Sequence, residues 1–89
     1  MVKATMKIYA KTENGLLGLK NHVEDCKKPV NFVALFKLGV KQRLKGNVLT
    51  IKFRDFRSDM KDNFLIDIKC AMSNVGAEYG RDYEVVFNE

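Results

Sequence analysis

Between Lys27 and Arg54 the chain places eight basic residues and no acidic one. Side chains of this type neutralise phosphates or carboxylates, so the run points first to a polyanion. Tyr9 adds an aromatic ring set between Lys7 and Lys11. A ring beside cations suits a nucleic-acid strand, where a base can stack while the backbone is neutralised.

Residues that could catalyse are few. His22 is the only histidine, and the sequence offers it no partner, so it is expected at a surface or boundary without a chemical role. Ser58 reads as a helix cap better than as a nucleophile. Asp55, Asp59 and Asp62 could gather on Mg²⁺, but their spacing fits acids at a helix start. Gly15-Leu16-Leu17-Gly18 lacks the lysine and flanking pattern of a phosphate-cradling loop. Cys26 and Cys70 fall in predicted helices, on or beside the apolar stripes, and read as reduced, mostly buried thiols. One histidine and no close cysteine pair leave no zinc pattern. Neither an enzyme nor a cofactor is expected.

The elements that must position the cations follow from parity. Phe36 to Phe56 reads as a β-hairpin turning at Gly46-Asn47, where glycine first in a two-residue loop suits a type II′ turn. Counting outward pairs Lys45 with Val48, Leu44 with Leu49, Arg43 with Thr50, Gln42 with Ile51, Lys41 with Lys52, and Val40 with Phe53. Alternate side chains point to opposite faces. One face then carries Leu38, Val40, Gln42, Leu44, Leu49, Ile51 and Phe53, a core face with Gln42 as its one polar member. The other carries Lys37, Gly39, Lys41, Arg43, Thr50, Lys52 and Arg54. A helix over residues 30–44 is the rival, but its polar residues scatter round the helical wheel. The period of two fits Phe36 to Leu44 with one miss, so a strand is expected. Val30 to Leu35 can be read as extending it, with a bulge or bend to move Val33 and Leu35 inward.

Val2 to Lys11 alternates in the same way, with Val2, Ala4, Met6, Ile8 and Ala10 against Lys3, Thr5, Lys7, Tyr9 and Lys11. Thr12 caps a predicted helix from Glu13 to Cys26, with Leu16, Leu19, Val23 and Cys26 on its apolar stripe. Gly15 and Gly18 weaken that helix unless they serve a close approach to the sheet. Lys27, Lys28 and Pro29 end it. A second helix starts at Ser58, carries Phe64, Ile68, Ala71 and Val75 inward beside Leu65 and Met72, and stops at Gly76. A last strand runs from about Asp82 to Phe87.

The order strand, helix, strand, strand, helix, strand at this length predicts an α+β, ferredoxin-like βαββαβ sandwich. Its four-stranded antiparallel sheet has both helices on one face. Right-handed crossovers put the first and third strands at the centre. The uncovered face then displays Lys3, Thr5, Lys7, Tyr9, Lys11, Lys37, Lys41, Arg43, Thr50, Lys52 and Arg54, with Lys45 at its end.

In layout the chain resembles the RNA-recognition-motif family. Ile8-Tyr9-Ala10 is similar to that family's short first-strand motif and puts Tyr9 in its stacking position. The third-strand signature departs from the family. Lys45-Gly46 opens the run through Phe53, but Thr50 and Lys52 occupy the outer positions where the family has aromatics. The resemblance therefore implies backbone binding more than reading of bases.

The 89 residues are expected to form one domain, with a net charge of +5. Residues 1–54 hold 12 basic and 3 acidic residues, a net +9, and residues 55–89 hold 4 and 8, a net −4. No apolar run approaches the roughly 20 residues that span a bilayer, and the N-terminus lacks a signal-peptide apolar region. A soluble, cytoplasmic protein, monomer or homodimer, is expected. The reading is a non-catalytic nucleic-acid-binding protein, RNA or another single strand favoured. Its phosphate contacts would be Lys7, Lys41, Arg43, Lys52 and Arg54, extended by Lys11, Lys37 and Lys45, with Tyr9 stacking. The alternatives are a small regulatory or inhibitory module docking on an acidic protein partner, and a lysine-rich face that is merely solvated.

Overall fold

The hairpin sets the register of the sheet. Gly46 has φ +60° and turns the chain, and all six pairs from Lys45↔Val48 to Val40↔Phe53 form as the count from the turn predicts. The computed structural model describes residues 3–88, apart from the side chain of Phe32; Val2 lies outside it. The elements are β1 (Ala4–Ala10), α1 (Glu13–Cys26), α2 (Pro29–Leu38), β2 (Val40–Lys45), β3 (Val48–Phe53), α3 (Ser58–Asn74) and β4 (Tyr83–Asn88). The class is α+β: one four-stranded antiparallel sheet, order β2-β3-β1-β4, with three helices. β1 and β3 are central, as expected.

The expected second strand is shorter, and a helix replaces its start. β3 ends at Phe53, whose partner is Val40, so residues before Val40 have no ladder to join. Their backbone groups are satisfied within a helix instead. Pro29 stands at the start of α2, where its missing N–H is no loss. Gly39 ends it at φ +70°, a left-handed conformation that favours glycine, with its N–H directed to the Leu35 and Phe36 carbonyls. Asn31 Nδ2 also donates to the Asp25 carbonyl at 2.8 Å, which fixes α2 to the end of α1. Leu38 therefore leaves the core face and is 40% exposed on α2.

The core lies between the sheet and α1 and α3. Met6, Ile8, Leu49, Ile51 and Phe53 meet Leu19, Met60, Phe64, Ile68 and Met72 there. Phe53 packs edge-on against Phe56 at 5.4 Å and Phe64 at 5.2 Å, a favoured aromatic arrangement. α1 comes close because of its glycines. A Cβ at Gly15 would collide with the Asp82 carbonyl, and one at Gly18 would press on Met72. Thr12 caps α1 by accepting from the Gly15 N–H at 3.2 Å. The cap position of α3 is Arg57, one residue before the expected Ser58, and it makes no side-chain bond. At its other end Ala77 N–H donates to the Met72 carbonyl at 2.9 Å and Gly76 N–H to that of Ser73 at 3.1 Å. With Gly76 at φ +72° this is a Schellman closure.

Candidate nucleic-acid interface

The antiparallel registers place the outward residues in rows across the sheet. One row reads Lys45, Val48, Tyr9 and Glu84; the next Arg43, Thr50, Lys7 and Val86; the third Lys41, Lys52, Thr5 and Asn88. Lys3 and Arg54, both exposed, extend the set past the ends of β1 and β3. The intervening positions Ala4, Met6, Ile8, Ala10, Leu49, Ile51 and Phe53 are all buried under the helices. The strand pleat thus separates an apolar face from a cationic one, residue by residue.

Charge on the open face is uneven. Lys3, Lys7, Lys41, Arg43, Lys45, Lys52 and Arg54 have no ion-pair partner among the described residues. Lys11 does: its Nζ lies 3.5 Å from Glu84 Oε1 and donates to the Gly80 carbonyl at 2.8 Å. Glu84 is an acid brought onto the face by β4, next to Tyr9. The strongest uncompensated charge therefore lies toward the other end, around Lys41, Lys52, Arg54 and Lys3. Tyr9 is half-buried in the central strand. Lys37 is not on the sheet; it is exposed in the last turn of α2.

Two features here were not anticipated. Phe36, expected within a strand, stands 74% exposed near the end of α2. Together with Lys3, Gly39, Val40, Lys41, Lys52, Phe53 and Arg54 it lines a groove of about 400 Å³. The second feature is on the core side. His22 is buried rather than at the surface, and its Nε2 lies 2.9 Å from Gln42 Oε1 and 3.6 Å from Cys26 Sγ. Gln42, the one polar residue of the core face, is there to meet it. His22 and Cys26 are four residues apart and share a helix face, which was the available signal; the contact with Gln42 depends on how α1 crosses the sheet.

Burial works to lower the His22 pKa, but hydrogen bonding and charge from Cys26, the bond to Gln42 and the charge of Asp67 outweigh it and leave it raised. Burial likewise works to raise the Cys26 pKa, but hydrogen bonds from His22 and Gln42 and the imidazole charge leave it lowered. Cys70, expected to be mostly buried, is exposed, because it falls outside the stripe formed by Met60, Phe64, Ile68 and Met72.

Asp55, Asp59 and Asp62 are all exposed, and Asp59 lies 3.8 Å from Arg57 Nε. Among the described residues no three His, Cys, Asp or Glu side chains converge to hold a metal ion. No described helix is long and apolar enough to cross a membrane. No protein-family model matches the chain, and no curated protein matches its sequence.

Proposed function

We propose that this chain is a non-catalytic nucleic-acid-binding protein, RNA favoured, that uses the open sheet face for phosphate contacts. The observation that carries the reading is the set Lys7, Lys41, Arg43, Lys52 and Arg54 on the sheet face opposite the helices, cations without an ion-pair partner among the described residues. A polyanion gains by releasing its counterions there, and an open sheet face accommodates an extended strand. Tyr9 offers a ring in the central strand, on the same face. The four-stranded order with β1 and β3 at the centre supports reading the fold as a ferredoxin-like sandwich into which α2 has been inserted.

The test is fluorescence anisotropy with labelled single-stranded RNA, single-stranded DNA and duplex DNA. The control is a Lys41→Glu, Arg43→Glu, Lys52→Glu triple variant, checked for folding by circular dichroism. Micromolar or tighter binding at about 0.15 M salt, abolished in the folded variant, is the expected result. Absence of binding to every probe at about 50 mM salt would sink the reading. Capture of an acidic protein by the same face, abolished by the same variant, would then favour the docking module. A Tyr9→Ala variant separates the two, since a stacked base loses affinity there and an acidic protein surface does not.

A further inference from the structure

The open face ends at an exposed aromatic ring that the core does not use. Phe36 is 74% exposed, although burying such a side chain is one of the larger stabilising contributions available to a small domain. It lines the groove together with Gly39, Val40 and Phe53. Lys3, Lys41, Lys52 and Arg54 complete its lining, and none of the four has an ion-pair partner among the described residues. Gly39 helps to shape it: its φ of +70° reverses the chain from α2 into β2, and a Cβ there would crowd the Arg54 side chain, 3.2 Å from Nε.

The occupant must therefore bring an apolar surface for the ring and negative charge for the cations beside it. An unpaired nucleobase with its flanking phosphates has both. Lys41 and Lys52 also belong to the outermost of the three rows across the sheet, so groove and sheet face are continuous. Resting on the proposed nucleic-acid reading, we infer that Phe36 is a base-stacking residue and that the strand runs from the sheet rows into the groove beside α2. The ligand class is then single-stranded nucleic acid, since a base within a duplex cannot reach the ring.

The chain contains no tryptophan, so Phe36→Trp installs a single indole fluorophore at the site. An oligouridylate single strand should quench it, while a blunt RNA duplex and inorganic polyphosphate should not. Phe36→Ala should weaken single-strand binding roughly 5- to 100-fold and leave duplex binding and the salt dependence unchanged. Phe36→Leu, apolar but without a ring, should behave as the alanine variant does. If the wild-type protein binds single strands through the basic rows but Phe36→Ala binds equally well and the indole emission of Phe36→Trp does not change, this inference is wrong and the sheet-face reading stands. If the wild-type protein binds no probe, both fall. A blue shift of that indole emission with anionic phospholipid vesicles, or with protein concentration alone, and no quenching by the oligonucleotide, would assign the groove to a lipid surface or to a second copy and overturn the inference.

Discussion

Asp82 satisfies three donors at once. Glu78 N–H reaches Oδ2 at 2.7 Å, the Thr12 hydroxyl donates to Oδ1 at 2.7 Å, and Arg81 Nε–H reaches Oδ2 at 2.9 Å. These bonds, the backbone one foremost, hold its pKa down to about 2, against an ordinary value of 3.8. A carboxylate depressed in the folded state stabilises above its unfolded pKa and loses that contribution as pH falls through its folded one. Urea midpoints should therefore drop between about pH 4 and pH 2. In Asp82→Asn they should be lower at neutral pH and flatter across that window; an equally steep acid limb would exclude the bonded carboxylate as its source. Cys26 carries the second residue-scale expectation. In a Cys70→Ser background, the rate of iodoacetamide alkylation should rise with a midpoint below that of an ordinary thiol, because the His22 N–H and charge favour the thiolate. His22→Gln should move that midpoint upward. An unchanged midpoint would show that the contact has no chemical effect.

Among the elements, those with a local rule were legible and the one governed by its surroundings was not. The hairpin was readable because a two-residue turn fixes every pair beyond it. β1 was readable because its strict alternation survives in the burial of Ala4, Met6, Ile8 and Ala10. α1 was readable from a capping threonine before a spaced apolar stripe. α2 escaped because it has almost no polar face: only Asn31 and Lys37 interrupt it, and Val30, Val33 and Phe36 remain exposed. Helical periodicity reports a division between core and solvent, and α2 does not obey that division. Its unusual exposure is also why the groove at Phe36 could not be foreseen. The glycines of α1 illustrate the competition between propensity and packing. Gly15→Ala should gain about 1 kcal/mol in an isolated helix. In the folded protein its methyl would meet the Asp82 backbone, which cannot swing away, and overpacking costs about 1–3 kcal/mol. A lowered melting temperature is expected; a raised one would show that α1 has room to move. Gly18→Ala meets the flexible end of Met72 instead and should be milder.

At the scale of the whole molecule, the cations of the sheet oppose the exposed acids Asp59, Asp62 and Asp67 on α3. The cationic face was readable from strand parity alone, while Glu84 beside Tyr9 required knowing that β4 pairs with β1. If the proposed face neutralises about five phosphates, log affinity should fall with log salt at a slope of roughly −3.5 to −4.5. A slope near zero in the binding series would mean that contacts other than charge hold the ligand. The central place of β1 has a further effect in time. β1 is made early, yet its ladders need β3, complete at Phe53, and β4, which ends at Asn88. On a translating ribosome the hairpin can close first and β1 can join it, but the second edge of β1 stays open until β4 has emerged. Residues 1–54 carry a net +9 and residues 55–89 a net −4, so the cationic part of the chain is made before the part that offsets it. Synthesis thus leaves the open edge of β1 and the excess positive charge of residues 1–54 together, until residues 55–89 supply both the missing strand and the net negative charge.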